Sequence, residues 1–181
     1  MKISTRNIVV VFFLVTMLTA CNQGETLQSY FVVKQESSNF MSIDIPVSVF
    51  DIAQAELTEE QAEAYKSINK LNMLGYKLEA NNMEEYKTEL LQIQTILKND
   101  KYEELFRGGN NSDGKIVVKY IGTDSTIDEL VVLGNMNNKG FAVVRVLGDN
   151  MEPAKIMKLG SVVGNLNSEE NNITDFLEFF N

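Results

Sequence analysis

The chain contains no histidine and no tryptophan, a single cysteine and only two prolines in 181 residues. Without imidazole, and with one thiol, it lacks the ordinary general base, the thiolate that would pair with it, and every zinc pattern that needs nitrogen or sulfur donors. No catalytic, cofactor-binding or metal-binding residue is assigned from the sequence. Any catalysis would rest on carboxylates, Ser, Thr, Lys or Tyr. A lone cysteine also excludes an internal disulfide, so stability has to come from an apolar core. No Ser/Gly-rich linker interrupts the middle of the chain, and its length fits one domain. A membrane-spanning run is missing too. The longest apolar stretch, Ile8 to Leu18, has 11 residues, well short of the roughly 20 that cross a bilayer as a helix.

That short run reads instead as the middle of a secretory signal. Lys2 and Arg6 precede it, and Leu18-Thr19-Ala20-Cys21 closes it. Leu at −3, Ala at −1 and Cys at +1 resemble the lipobox of bacterial lipoproteins, which predicts cleavage between Ala20 and Cys21 and lipid attachment to the Cys21 thiol. A single acyl chain holds a protein only marginally, whereas two or more anchor it stably, so the lipid on Cys21 makes the membrane the first expected partner. Asn22 after the cysteine, by analogy with the enteric sorting rule, points to the outer membrane of a Gram-negative bacterium.

Charge removes another class of partner. Acidic residues outnumber basic ones 25 to 16. Cleavage would remove Lys2 and Arg6 and leave a net charge of about −11, a surface that repels nucleic acid and anionic membrane.

Residues 1–20 are thus expected as a lipoprotein signal peptide, 21–26 as a tether, 27–167 as a single α+β domain and 168–181 as a polar to amphipathic tail. The spacing of Leu27, Tyr30 and Phe31 predicts a first helix, and Phe40 to Ile45 a strand ended by Pro46. Val47, Phe50 and Ile52 suggest a brief helix. Thr58 caps a short helix, and Ile68 to Leu78 reads as a strand. Asn82, with Glu85 three residues on, has capping-box spacing, and Met83, Tyr86, Leu90, Ile93 and Leu97 recur at helical steps with Lys98 in the last turn. Tyr102, Leu105 and Phe106 suggest a further short helix stopped by Gly108-Gly109. Lys115–Ile121, Glu129–Met136 and Phe141–Leu147 form a three-stranded meander, Gly148-Asp149-Asn150 a loop, and Pro153 opens a last helix. The expected fold is α+β, an antiparallel sheet of four to five strands with helices packed on one face.

Four stretches carry a family resemblance: Ile43-Asp44-Ile45-Pro46, the Ile68–Tyr76 strand, Tyr102-Glu103-Glu104-Leu105, and Ile127-Asp128-Glu129-Leu130-Val131-Val132 leading to Val143–Gly148 and the last helix. Across Phe40 to Leu166 the chain resembles a family of lipoproteins from Bacteroidetes-type bacteria, domain of unknown function 4252. The resemblance implies a lipid-anchored envelope domain and offers no catalytic residue. It also makes Asp124-Ser125-Thr126 similar to the O-glycosylation sequon of such bacteria, with Ser125 as the candidate acceptor, although Asp and Ser favour turns in any case.

Other motifs have plainer readings. Asn110 to Gly114 could offer oxygens to calcium, but only Asp113 is charged where several carboxylates are usual, so a turn is favoured. Gly160 and Gly164 suit close packing. Glu59-Glu60 and Glu84-Glu85 do not face one another on a helix and read as solvated. The function expected is a binding or interaction module with an envelope protein partner. The rivals are a carboxylate-dependent hydrolase of envelope polymers, which needs two acids converging in a cleft, and a carrier of a small apolar ligand, which needs an apolar cavity.

Overall fold

Strand formation follows the β-branched and aromatic runs. The computed structural model describes residues 24–49, 57–110, 112, 114–163, 176 and 178–180. The expected signal, Ala20, Cys21, the first residues of the tether, Phe50 to Ile52 and most of the C-terminal tail lie outside them. Six strands, β1 Phe40–Pro46, β2 Ile68–Lys77, β3 Glu103–Asn110, β4 Gly114–Gly122, β5 Ile127–Met136 and β6 Gly140–Met151, form one open antiparallel sheet in the order β1-β2-β6-β5-β4-β3. Four helices accompany it, α1 Leu27–Lys34, α2 Glu59–Ser67, α3 Met83–Ile96 and α4 Pro153–Val163, with a 3-10 turn at Val47–Val49.

The α+β class and the meander stand, but the sheet has six strands instead of four to five. The additional one is β3, where a helix was expected over Tyr102 to Phe106. Leu105 and Phe106 have no buried helical face to join and remain partly exposed, and the segment pairs with β4 from Glu103↔Tyr120 to Asn110↔Gly114. Gly109 does not stop a helix. It sits at the hairpin end at φ +94°, where a Cβ would lie 2.2 Å from the Gly114 carbonyl oxygen. The expected loop at Gly148 to Asn150 is likewise part of β6. The strand bulges there, with Glu129 opposite Leu147 and Ile127 opposite Met151.

Helices cover both faces of the sheet, not one. Successive strand residues point to opposite sides. One side carries Leu74, Tyr76, Val131, Leu133, Phe141 and Val143 and buries them against α1 and α3 through Leu27, Tyr30, Phe31, Tyr86 and Ile93. The other carries buried Leu130 and half-buried Leu71 and Val146 and packs them against Ala64 of α2 and Ile156 and Leu159 of α4. Phe176 and Phe180 close the same side over Met73 and Ile45. The rings come so near the strand that a Cβ on Gly75 would meet Phe180 Cζ at 2.8 Å. The physical reason for two-sided cover lies in the strands, which are nearly continuous apolar runs that a single layer of helices cannot bury.

Capping is distributed differently from expectation. Thr58 with Gln61, and Thr26 with Ser29, form reciprocal capping boxes. Asn82 makes no cap bond. Its Oδ1 accepts from the Glu79 N–H at 2.8 Å and its Nδ2 donates to the Lys77 carbonyl at 3.0 Å, which ties the turn that feeds α3. On α3, Tyr86 and Ile93 are buried, Leu90 is half-buried and Met83 is exposed. Lys98 falls beyond the last helical turn. Glu60 is not purely solvated, since it pairs with Lys158 of α4, a surface contact of small energetic weight.

Candidate functional site

On the α1–α3 face the apolar side chains of the central strands give way to polar ones toward one end. Alternation along β1 brings Phe40, Ser42 and Asp44 to this face. On β2 it brings Tyr76, Leu74, Asn72 and Lys70, and on β6 Phe141, Val143, Arg145 and Leu147. The register then sets Asp44 opposite Asn72, and Asn72 opposite Arg145. Across the next strand Arg145 faces Val131, two residues from Glu129. A single polar row thus crosses four strands.

The row is internally bonded. Arg145 Nε donates to Glu129 Oε1 at 2.6 Å, and both side chains are largely enclosed. Asn72 Nδ2 donates to Asp44 Oδ1. Phe31 of α1 lies over the guanidinium, its ring centre 5.4 Å from Arg145 Cζ. Tyr102 is buried beside the ion pair. Its hydroxyl is pushed up to about 12, first by burial and then by the Glu129 carboxylate, with Arg145 acting in the opposite sense.

Above the row is a cavity of about 380 Å³. Gln28 and Val32 of α1 and Gln35 at its C-terminal cap edge it, and Ser42, Asp44, Lys70, Asn72, Asp128, Glu129 and Arg145 share its wall with the apolar Phe31, Ile121 and Leu147. Helix α1 is held in place from the other side. Buried Glu89 of α3 accepts from the Tyr30 hydroxyl at 2.7 Å and from Lys34 Nζ at 2.5 Å. Burial, and then the bond to Glu89, drive the Tyr30 hydroxyl far above its ordinary value. The Tyr76 hydroxyl, buried in the neighbouring aromatic cluster, has no hydrogen-bond partner among the described residues.

This arrangement can bind and orient a polar molecule. An arginine held at Nε still presents the end of its fork. Among the described residues no hydrogen bond joins Ser42 to Lys70 or to a carboxylate. No group of three or more potential metal-binding carboxylates occurs among them. A second hollow, between the β3–β4 hairpin and the end of α3, gathers Lys98, Arg107, Lys115 and Lys119. There Glu104 already holds Arg107 through two hydrogen bonds, and the Tyr102 carbonyl takes Lys119.

The residues singled out in the sequence fall elsewhere. Ala20 and Cys21 lie outside the described residues, as do Asn111 and Asp113 of the candidate calcium turn. There Asn110 Oδ1 accepts from the Ser112 N–H at 2.8 Å, as in an Asx turn. Ser125 is exposed in the β4–β5 connection, and the adjacent Asp124 accepts from the Tyr120 hydroxyl at 2.9 Å. None of Arg145, Glu129, Asn72 and Asp44 is assigned to a site from the sequence, which places them only in strands and in the stretches that carry the resemblance. The available signal was Arg145 itself, a charge inside Val143-Val144-Arg145-Val146-Leu147, where a buried charge needs a partner.

A family model described as Domain of unknown function (DUF4252) matches residues 30–159, which takes in the whole polar row and every residue lining the cavity except Gln28. No curated protein and no solved structure matches the chain.

Proposed function

Since the chain belongs to the DUF4252 family, whose description assigns no activity, we propose that it is a lipid-anchored envelope protein that works as a binding module, with the cavity beneath α1 as its working part. The observation that carries this reading is the polar row itself. Arg145 is paired with Glu129 and Asn72 is bonded to Asp44 over a two-sided core, while the space above them remains open. Preorganised polar groups at the floor of a cavity serve recognition, because little ordering is left to occur on binding. The anchor in this proposal is lipid on Cys21, placing the domain at the outer membrane next to an envelope protein partner, and Ser125 is an accessible acceptor for O-glycosylation. No helix of the described residues is long and apolar enough to cross a membrane, so attachment in this reading falls to the lipid.

The hydrolase reading has one observation in its favour, which is that Asp44, Asp128 and Glu129 border the same cavity. Against it, Glu129 is tied to Arg145 and Asp44 to Asn72. Against the apolar-carrier reading, charged Lys70, Asp128, Glu129 and Arg145 share the wall with its apolar side chains.

Crosslinking in native membranes, followed by mass-spectrometric identification, tests the module. A recurrent envelope partner is expected. Turnover of peptidoglycan, glycan or ester substrates that vanishes on changing Asp44, Asp128 or Glu129 would replace the module by the hydrolase. Metabolic labelling with a fatty-acid analogue tests the anchor, and equal label on the wild type and Cys21→Ser would remove it.

A further inference from the structure

Resting on the binding-module reading, we infer that the cavity takes a small carboxylate ligand, seated on the free end of the Arg145 guanidinium and carrying hydroxyl or ammonium groups beside its carboxylate. Arg145 is 6% exposed. Of its five N–H donors, only that on Nε is engaged among the described residues, by Glu129. Nη1 and Nη2 have no protein partner among the described residues, yet neither is among the buried atoms sealed off without one. Because the side chain is otherwise enclosed and borders the cavity, the cavity is where these nitrogens meet solvent. Donors that meet water in place of protein acceptors can exchange that water for a ligand's oxygens at little cost.

The shape of the site selects the ligand. Nε–H on Glu129 and the Phe31 ring fix the plane of the guanidinium, and a planar carboxylate matches the fork that remains. Around that fork the wall supplies acceptors, Asp44, Asp128 and Glu129 among them. Three carboxylates repel a bare inorganic dianion but receive hydrogen bonds from a ligand's own donors. The volume of about 380 Å³ lies at the small end of ligand sites, room for one sugar acid or a very short peptide terminus. Both sources share the same chemistry, a carboxylate flanked by donors.

Calorimetry on the full chain in detergent micelles can decide, with glucuronate and alanyl-alanine as probes and glucose and inorganic phosphate as controls. Nitrogen-15 spectra of the arginine side chains provide a second readout. At least one carboxylate probe should bind at millimolar concentration and shift the Arg145 N–H signals, while neither control does so. Whichever probe binds identifies the source. Arg145→Lys should weaken binding by about 10-fold or more, the loss expected when a charged bidentate contact becomes a point contact. If Arg145→Lys fails to fold, Val32→Trp decides. It fills the mouth of the cavity from an exposed position on α1, leaves the ion pair alone, and should weaken binding to a similar extent. No binding of either carboxylate at millimolar concentration, binding of phosphate instead, or binding that survives Val32→Trp overturns the inference. A crosslinked envelope partner together with a silent cavity would end this inference alone, whereas turnover in the cavity would end the module reading beneath it.

Discussion

On the α2–α4 side of the sheet the hydrophobic cores are built from residues such as Ala64, Ile68, Ile127, Leu130, Ile156 and Leu159. The α1–α3 side combines an equally buried core with Asn72, Glu89, Glu129 and Arg145, which are all the buried polar or charged residues among those described. Both sides are made by the same strands, read at alternate positions. Stability alone does not account for the asymmetry, because a buried ion pair is often no more stabilising than apolar residues of similar volume. One side acts as a packed base. The other accepts the cost of buried charge and encloses an open volume, as expected where a surface is shaped for a ligand.

The sharpest way to break this contrast is to unpair the row. Glu129→Ala leaves the Arg145 guanidinium buried without its acceptor and should destabilise the fold by about 3–5 kcal/mol, measured by chemical denaturation. Replacing both residues by Leu should recover most of that loss while abolishing any binding in the cavity. If Glu129→Ala costs less than about 0.5 kcal/mol, the range of neutral surface changes, the pair is solvated and the two sides do not differ as described.

Next in size are matched truncations in the two cores. Ile93→Ala on α3 and Ile127→Ala on β5 each remove a side chain of zero exposure, one on each side of the sheet. Each should cost about 2–5 kcal/mol. A large loss for one and almost none for the other would show that only one side is truly packed. Half-buried Leu90 should lose less than Ile93.

Much of the fold was legible because its signals are local. The stripe of Tyr86, Leu90, Ile93 and Leu97, the Thr58 cap, and the alternation around Asn137 to Gly140 each specify an element within a few residues. Two-sided cover was also present in the sequence, in runs such as Leu130-Val131-Val132-Leu133, which leave neither face polar. It was misread because antiparallel sheets often expose one face. Strand β3 was hidden, since Tyr102, Leu105 and Phe106 mimic helical spacing and the pairing that decides the matter lies with β4. The site was the least visible part. Asp44, Asn72, Glu129 and Arg145 are far apart in the chain, and register, which no local pattern reveals, brings them into one row.

Alkaline pH offers a smaller and graded test. Tyr30, Tyr76, Tyr86 and Tyr102, all on the α1–α3 side, have hydroxyls raised above their ordinary value with burial as the leading cause. Tyr120, on the other side, is raised first by its hydrogen bonds to Glu103 and Asp124. A group that holds its proton more tightly when folded gives stability that is complete below its unfolded pKa, near 10 for tyrosine. That stability is lost as pH rises through the folded value, about 12 for Tyr102. The melting temperature should therefore fall from about pH 10 upward, and less steeply in Tyr102→Phe. An unchanged slope in that variant would mean that Tyr102 is not sealed beside the Glu129–Arg145 pair.

The smallest effect is the most discriminating, because two tyrosines of one aromatic cluster should respond differently to the same change. Tyr30 donates to Glu89 at 2.7 Å, so Tyr30→Phe removes a hydrogen bond to a buried carboxylate and should cost about 1.5–3 kcal/mol. Tyr76 stacks on Phe141 at 5.4 Å with 8° between the planes, and Phe40 meets its edge at 4.9 Å. A phenylalanine at 76 keeps both contacts. What it removes is a buried hydroxyl without a partner among the described residues, a group whose desolvation no hydrogen bond there offsets. Tyr76→Phe should therefore leave stability within about 0.5 kcal/mol of the wild type or raise it. Chemical denaturation with an unchanged denaturant slope would measure the difference. A loss above about 1 kcal/mol would show that the hydroxyl is satisfied in solution, by water or by Glu85, and that polar character on this side of the sheet reaches beyond the Arg145 row into the aromatic core.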